Sequence, residues 1–190
     1  VEISSESGEI READLERRSV DLRPVRTKRL RDDSHTIGYL RITQFSESVP
    51  KKVEEALQEL KEKEVEGLIL DLRNNSGGLV SSGIAVADSL LSERPVVETK
   101  NRNGIKDAII SQKETSFDGP MVTLVNKGTA SASEILAGAL QDNDRSILMG
   151  EQTYGKGLIQ SLKSLGENSG IAITVASYLT PKGNNIQGQG

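Results

Sequence analysis

The chain has 190 residues, of which 35% are hydrophobic, 27% charged and 3% aromatic, a composition that suits one well-packed domain with at most a small appendage. Its 24 lysines and arginines against 28 aspartates and glutamates leave a net charge of -4, so the chain has no overall attraction to nucleic acid or to an anionic membrane. The absence of cysteine excludes disulfides and thiol catalysis, and no apolar run approaches the roughly 20 residues of a membrane span.

The first 35 residues are polar and dense in charge. Between residues 16 and 33, seven lysines and arginines are interspersed with acidic residues, and Val20, Leu22 and Val25 alternate with polar positions. This pattern predicts an edge strand with solvated arginines. A nucleic-acid-binding arm is the alternative, but this stretch lacks the aromatic residues that would stack on bases.

From Ile37 onward, segments typical of strands and helices alternate. Apolar runs predict strands over 37–42, 67–72, 121–125, 158–165 and 171–179, and a hairpin over 96–110. Helical spacing predicts three helices: one behind Ser48 and Pro50, one over residues 84–91 and one over 131–143. The alternation predicts an α/β domain with a largely parallel sheet and flanking helices.

Two glycine-rich turns follow predicted buried strands. The turn at 126–130 leads into a helix whose first residues include Ser131 and Ser133. At the start of a helix, free backbone N–H groups and the helix dipole could stabilise an oxyanion. Either serine is a candidate nucleophile, and either could instead be an ordinary helix cap. The turn at 74–78 could offer further amides, or could simply connect a strand to a helix.

The segment GEQTYGKG, residues 150–157, has nearly the glycine and lysine spacing of a phosphate-binding loop. However, Gly157 stands where such a loop needs a hydroxyl, and a strand follows where a helix is required. The single histidine, His35, lies in a polar stretch, so neither a histidine-based triad nor a zinc site is predicted. Lys156 remains as a base for a serine, unless it is a surface residue in a glycine turn.

Four segments together resemble a known enzyme family. GYLRITQF, LILDLRNNSGGLV, VNKGTASASEILAGALQDN and GEQTYGKGLIQS are similar in order and spacing to the carboxyl-terminal processing peptidases, or tail-specific proteases, over residues 19–190. The resemblance implies a core like those of crotonase and Clp protease. It also implies site residues: Ser131 as the nucleophile, Lys156 as the base, Gln160 to orient the lysine, the amides of Gly77 and Ala132 as the oxyanion hole, and Asp142 at an acidic position of the family.

The resemblance further implies substrates and surroundings. The family cuts protein substrates with exposed C-terminal tails, without a cofactor or metal, outside the cytoplasm; its cyanobacterial and plastid members process a photosystem II reaction-centre protein. Membrane-protein substrates are therefore possible, and nucleic acid is not an expected partner. The expected location is the periplasm or the thylakoid lumen, although no targeting segment is visible. Family members carry a PDZ domain ahead of the core, which this chain is too short to hold. We expect residues 1–35 to be an N-terminal extension at the PDZ junction and 36–190 to be the serine-lysine peptidase core.

The expected mechanism gives Lys156 a specific environment. On an extended segment, Lys156, Leu158 and Gln160 point to one side, so the Gln160 amide can hold the amine. Apolar neighbours would exclude water and favour the neutral amine that accepts the Ser131 proton. Two alternatives stay open: a non-catalytic ligand-binding module on the same scaffold, as in retinoid-binding repeats, and a crotonase-type acyl-thioester enzyme that needs no serine-lysine pair.

Overall fold

The computed structural model describes residues 2–4, 8–14, 16, 23–31, 34–104, 106–166 and 169–190, in which two sheets and three helices form the main body. The first sheet has five strands in the order β3 (Val25–Arg31), β4 (Thr36–Ile42), β5 (Gly67–Asp71), β8 (Met121–Val125) and β9 (Ile147–Gly150). The second has four, in the order β10 (Leu158–Gly166), β11 (Ser169–Leu179), β6 (Pro95–Asn101) and β7 (Lys106–Ile110). A separate ribbon pairs β1 (Glu2–Ser4) with β2 (Ile10–Glu12).

The helices are α1 (Val49–Glu62), α2 (Val80–Leu90) and α3 (Ala132–Asp142). The helix α1 begins with Pro50 in its first turn, where a missing N–H costs nothing, and buries an apolar stripe of Val49, Val53, Ala56, Leu57 and Leu60. The helices α2 and α3 pack against each other, and eight of the eleven residues of α3 are buried. Among the described residues, none of the helices has the length and apolar composition that a membrane crossing requires.

The parallel prediction is confirmed for only part of the structure. The pairs β4–β5, β5–β8 and β8–β9 are parallel. The strand β3 is an antiparallel edge strand, as the sequence predicts for Val25–Arg31. Two other residues of that predicted strand, Val20 and Leu22, lie outside the described residues. In the second sheet, all three pairings are antiparallel. Its two hairpins are predictable from local pattern, but the β11–β6 contact that joins them is not. No strand is predicted at β9, a short edge strand whose Ile147 and Met149 are exposed.

The topology places two connecting turns side by side. The strands β5 and β8 are parallel neighbours, with Asp71 opposite Leu124, so the segments that leave their carboxyl ends emerge at the same edge of the sheet. One segment runs from residue 72 to α2 and contains the glycine turn at 74–78. The other runs from 126 to α3 and ends at Ser131. In α/β proteins, this edge is where ligands and catalytic groups gather.

Candidate active site

Ser131 occupies the sharp turn between β8 and α3. It caps the N-terminus of α3 with φ of 58° and ψ of -118°, a strained conformation for a residue with a side chain. Its backbone N–H donates to the Glu134 carboxylate at 2.8 Å, which holds the turn in place. A strained serine between a strand and a helix is the arrangement in which many hydrolases present a nucleophile.

The structure separates the two candidate serines. Ser133 is fully buried, and its Oγ donates to the Asn75 carbonyl oxygen at 2.9 Å. Ser131 is only partly buried, one residue before the helix begins. A hydroxyl that is buried and hydrogen bonded to the backbone serves packing, which describes Ser133 but not the partly exposed Ser131.

Asn75 holds the glycine turn against the serine turn. Its side chain is fully buried: Nδ2 donates to the Ile42 carbonyl at 3.0 Å, and Oδ1 accepts the Gly77 N–H at 3.0 Å. Its carbonyl oxygen accepts the Ala130 N–H at 3.0 Å as well as the Ser133 hydroxyl. One buried asparagine therefore ties the strand β4, the glycine turn and the serine turn into one unit.

Gly77 lies directly against Ser131. Its φ is 100°, and a Cβ added there would lie 2.8 Å from both the Ser131 Cβ and the Ala130 carbonyl oxygen, and 3.1 Å from the Ala132 nitrogen. Only glycine fits this position. The two residues predicted to form the oxyanion hole, Gly77 and Ala132, are thus brought together beside Ser131. In this arrangement the Gly77 N–H is already bonded to Asn75.

A carboxylate network braces the start of the glycine turn. Asp71, fully buried at the end of β5, accepts hydrogen bonds from the Tyr39 hydroxyl at 2.5 Å and from the Arg73 guanidinium at 2.8 and 3.0 Å. The Arg73 backbone N–H donates to the same carboxylate at 3.0 Å. Burial by itself raises the pKa of Asp71, but the bonds from Arg73 and Tyr39 outweigh burial and lower that pKa to about 2.

The segment 151–157 joins β9 to β10 and carries Lys156. Gly155 and Gly157 are buried, whereas Lys156, Leu158 and Gln160 are exposed, so these three side chains project to one side as predicted. All three line an open cleft of about 520 Å³. The cleft's other lining residues come from both turns, from the segment 151–157 and from the C-terminal segment: Ser76, Gly128, Ala130, Tyr154, Gly155 and Gln187.

The expected enclosure of Lys156 is not met in this arrangement. The side chain is exposed, and Leu158, the apolar neighbour expected to shield it, is itself 38% exposed. Because the cleft is open to solvent, water reaches the amine. The exclusion of water would have to come from whatever fills the cleft.

Two other candidate residues lie away from the cleft. Asp142 is the last residue of α3, eleven residues and about 16 Å along the helix from Ser131. Its Oδ2 accepts the Lys182 backbone N–H at 2.8 Å, so it anchors the turn after β11. His35 precedes β4 at the opposite end of the parallel strands, where its exposed imidazole lies 2.8 Å from Glu66 Oε2.

Two residues of the site were not predicted. Gln187 accepts the Gly157 N–H on its side-chain oxygen at 2.9 Å and lines the cleft. No local pattern signals this contact, which spans 30 residues. Glu134 does have a signal, since serine followed three residues later by glutamate is a capping box. That pattern predicts the bond to Ser131 but none of the other contacts of Glu134.

Comparisons with known proteins match this picture. The sequence profile of Peptidase family S41 matches residues 36–190. A carboxyl-terminal-processing protease of Synechocystis is 49% identical over 190 residues, covering 98% of this chain and 44% of that protein. A chloroplastic C-terminal processing peptidase of Tetradesmus obliquus is 46% identical over 152 residues, covering 79% of this chain and 32% of that protein.

A solved structure named photosystem II D1 C-terminal processing protease superposes with a TM-score of 0.82 at 38% identity, covering 95% of this chain and 50% of that one. The chain thus spans about half the length, or less, of these relatives. The predicted resemblance to the carboxyl-terminal processing peptidases is confirmed. Because the profile covers most of the sequence and agrees with the fold, the chain belongs to peptidase family S41.

Proposed function

We propose that the protein is a serine endopeptidase that cleaves near protein C-termini, with Ser131 as nucleophile and Lys156 as base. The observation that carries this proposal is the strained Ser131 at the N-terminus of α3, whose neighbour Ala130 lines the same cleft as Lys156 and Gln160. The burial of Ser133 and the remoteness of His35 support the same assignment.

The proposed chemistry proceeds through an acyl-enzyme. Ser131 Oγ attacks the scissile carbonyl carbon while the neutral Lys156 amine takes the hydroxyl proton. The tetrahedral intermediate collapses, the C–N bond breaks, and the lysine ammonium returns the proton to the departing amine. Water, deprotonated by the same lysine, then attacks the ester carbonyl; the bond to Ser131 Oγ breaks, and the lysine ammonium returns the proton to that oxygen. Gln160, the third residue of β10, orients the amine of Lys156.

The developing oxyanion needs donors beside Ser131. We assign the first to the Ala132 N–H, in the opening turn of α3, where unpaired amides and the helix dipole favour negative charge. Gly77 would supply the second after its N–H turns from Asn75 Oδ1 toward the substrate. A peptide in the cleft would also cover Lys156 and remove the water that reaches it in the open site.

The relatives support wider assignments. We propose residues 36–190 as the catalytic core and 1–35 as an extension at the junction with a PDZ domain that captures substrate tails. Proteins with exposed C-terminal tails are the proposed substrates, in keeping with the processing activity named in the relatives. The chloroplastic location named for several of them supports an extracytoplasmic compartment, the thylakoid lumen or the periplasm.

The test is cleavage of a protein with an unstructured C-terminal tail by the full polypeptide that contains this sequence, followed by intact mass spectrometry. Ser131→Ala and Lys156→Ala should each abolish cleavage. Ser133→Ala and Lys163→Ala, which alter a buried serine and an exposed lysine of β10, should both retain it. Cleavage by Ser131→Ala at the parent rate would overturn the assignment, and loss only in Ser133→Ala would move it.

A further inference from the structure

Glu134 has contacts that helix capping does not explain. Its side chain is only 3% exposed. Oε2 accepts the backbone N–H groups of Ser131 and Lys156, both at 2.8 Å. Oε1 accepts the backbone N–H of Gly155 at 2.6 Å and the hydroxyl of Thr153 at 2.7 Å. A single carboxylate oxygen therefore bonds to the main chain of both proposed dyad residues.

These four bonds fill the carboxylate. An ionised carboxylate offers about four acceptor sites, and here each oxygen uses two. In the described part of the chain, no lysine or arginine forms an ion pair with Glu134, so peptide and hydroxyl dipoles alone hold the charge. A capping box accounts only for the bond to Ser131. The other three bonds reach a segment 19 to 22 residues further along the chain.

We propose that Glu134 is a positioning residue that sets the place of Lys156 relative to Ser131. This inference rests on the proposed function, because it gives Glu134 a role in assembling the dyad. The segment 151–157 contains no helix or strand, so hydrogen bonds to the body of the protein must define its path. Bonds from N–H groups to a charged acceptor are stronger than bonds between neutral groups, which suits this task.

The segment has other attachments that do not involve Glu134, which make the inference testable. The Tyr154 N–H donates to the Thr129 carbonyl oxygen at 2.9 Å. On either side of Lys156, the Gly155 carbonyl oxygen accepts the Gly188 N–H at 2.9 Å, and the Gly157 N–H donates to Gln187 at 2.9 Å. Variants at Glu134 should therefore keep the segment near the serine turn while shifting Lys156 within it. A displacement of about 1 Å in a catalytic group can reduce the rate about a hundredfold.

The most informative substitution is Glu134→Gln, which keeps the shape and removes the charge. The amide NH2 must replace one oxygen and so face N–H donors. On the Oε1 side, the Thr153 hydroxyl can turn to accept from the amide, leaving only the Gly155 N–H without a partner. On the Oε2 side, two backbone donors would lose theirs. The variant should therefore keep the bond to Lys156 but lose the bond to Gly155, its immediate neighbour.

We expect Glu134→Gln to lower kcat about tenfold to a hundredfold with KM changed less than about twofold, since the cleft lining is retained. Thr153→Val removes one donor and should lower kcat about fivefold. Amide hydrogen exchange at Gly155, followed by NMR, should accelerate in both variants. The matched control is Leu140→Ala, a fully buried position on the same helix, which should lower the melting temperature without changing kcat per folded molecule.

The outcomes separate the two proposals. If the parent is not labelled at Ser131 by a fluorophosphonate, the proposed function fails. The amide exchange rates at Gly155 still test whether Glu134 holds the segment 151–157. If the parent is labelled but Glu134→Gln keeps the parent kcat and exchange rates, the positioning role is overturned. A fall in stability alone, as in Leu140→Ala, would reduce Glu134 to a helix cap. Should Glu134→Gln fail to fold, parent-like kcat and exchange in Thr153→Val would overturn the inference.

Discussion

Asp71→Asn tests the network that braces the glycine turn at 74–78. The substitution keeps the size of a fully buried side chain but removes the charge that the Arg73 guanidinium and the Tyr39 hydroxyl bind. An amide oxygen can still accept one of these bonds. The amide NH2 would face the donors of Arg73 or Tyr39, so the variant should fold with reduced stability.

The magnitude follows from the pKa of Asp71. Its fall from the usual 3.8 to about 2 in the folded protein corresponds to about 2 kcal/mol of stability at pH 7. Because the folded-state pKa is the lower one, this contribution is full above the unfolded-state pKa and is lost as the pH falls through the folded-state pKa. At pH 3 Asp71 is mostly protonated in the unfolded chain but not in the folded protein, which leaves about 1 kcal/mol.

The assay is urea denaturation of the parent and of Asp71→Asn at pH 7 and pH 3, followed by circular dichroism. The difference in unfolding free energy between them should be about 2 to 3 kcal/mol at pH 7 and smaller by about 1 kcal/mol at pH 3. Asp107→Asn, at an exposed carboxylate on β7, controls for the loss of a charge. A difference for Asp71→Asn that stays constant between the two pH values would show that the Asp71 charge does not stabilise the folded protein.

Three further outcomes follow from the site. The double variant Ser131→Ala/Lys156→Ala should cleave no more slowly than either single variant, because dyad members act as a unit; additive losses in single-turnover assays would separate the two residues. Gln160→Ala should lower kcat about tenfold to a thousandfold and change KM less, whereas an unchanged kcat would leave Gln160 an ordinary strand residue. Gly77→Ala should lower both the melting temperature and kcat, because its Cβ would lie 2.8 Å from the Ser131 Cβ; parent-like values in calorimetry and kinetics would contradict this packing.

The central elements of the fold could be predicted because their patterns are local. Continuous apolar runs predict β5 and β8, and helical spacing predicts α1 and α3. Each pattern is visible within the five to fourteen residues of its own element. The second sheet could not be predicted in the same way. The contact between β11 and β6 joins segments about 75 residues apart, and no local pattern reports which edges of two hairpins meet.

The choice of nucleophile shows the same limit. Local pattern leaves Ser131 and Ser133 equivalent, since both lie at the start of a helix after a glycine turn, and only the family resemblance favours Ser131. The difference arises from Asn75, 58 residues away, whose carbonyl oxygen takes the Ser133 hydroxyl. The surroundings of Lys156 were predicted less well, because a strand period tells which side chains share a face but not whether solvent covers that face.

If Ser131 and Lys156 form one catalytic pair, their side chains must be in contact when the serine reacts. The most direct test is the distance between Ser131 Oγ and Lys156 Nζ in a crystal structure of the full polypeptide after reaction with a serine-directed phosphonate. We predict phosphorus bonded to Ser131 Oγ, with Lys156 Nζ within about 3.2 Å of that oxygen and the Gln160 side-chain oxygen in contact with the amine. Attachment of the phosphonate to another residue, or a different base in hydrogen-bond contact with Ser131 while Lys156 points to solvent, would contradict the account.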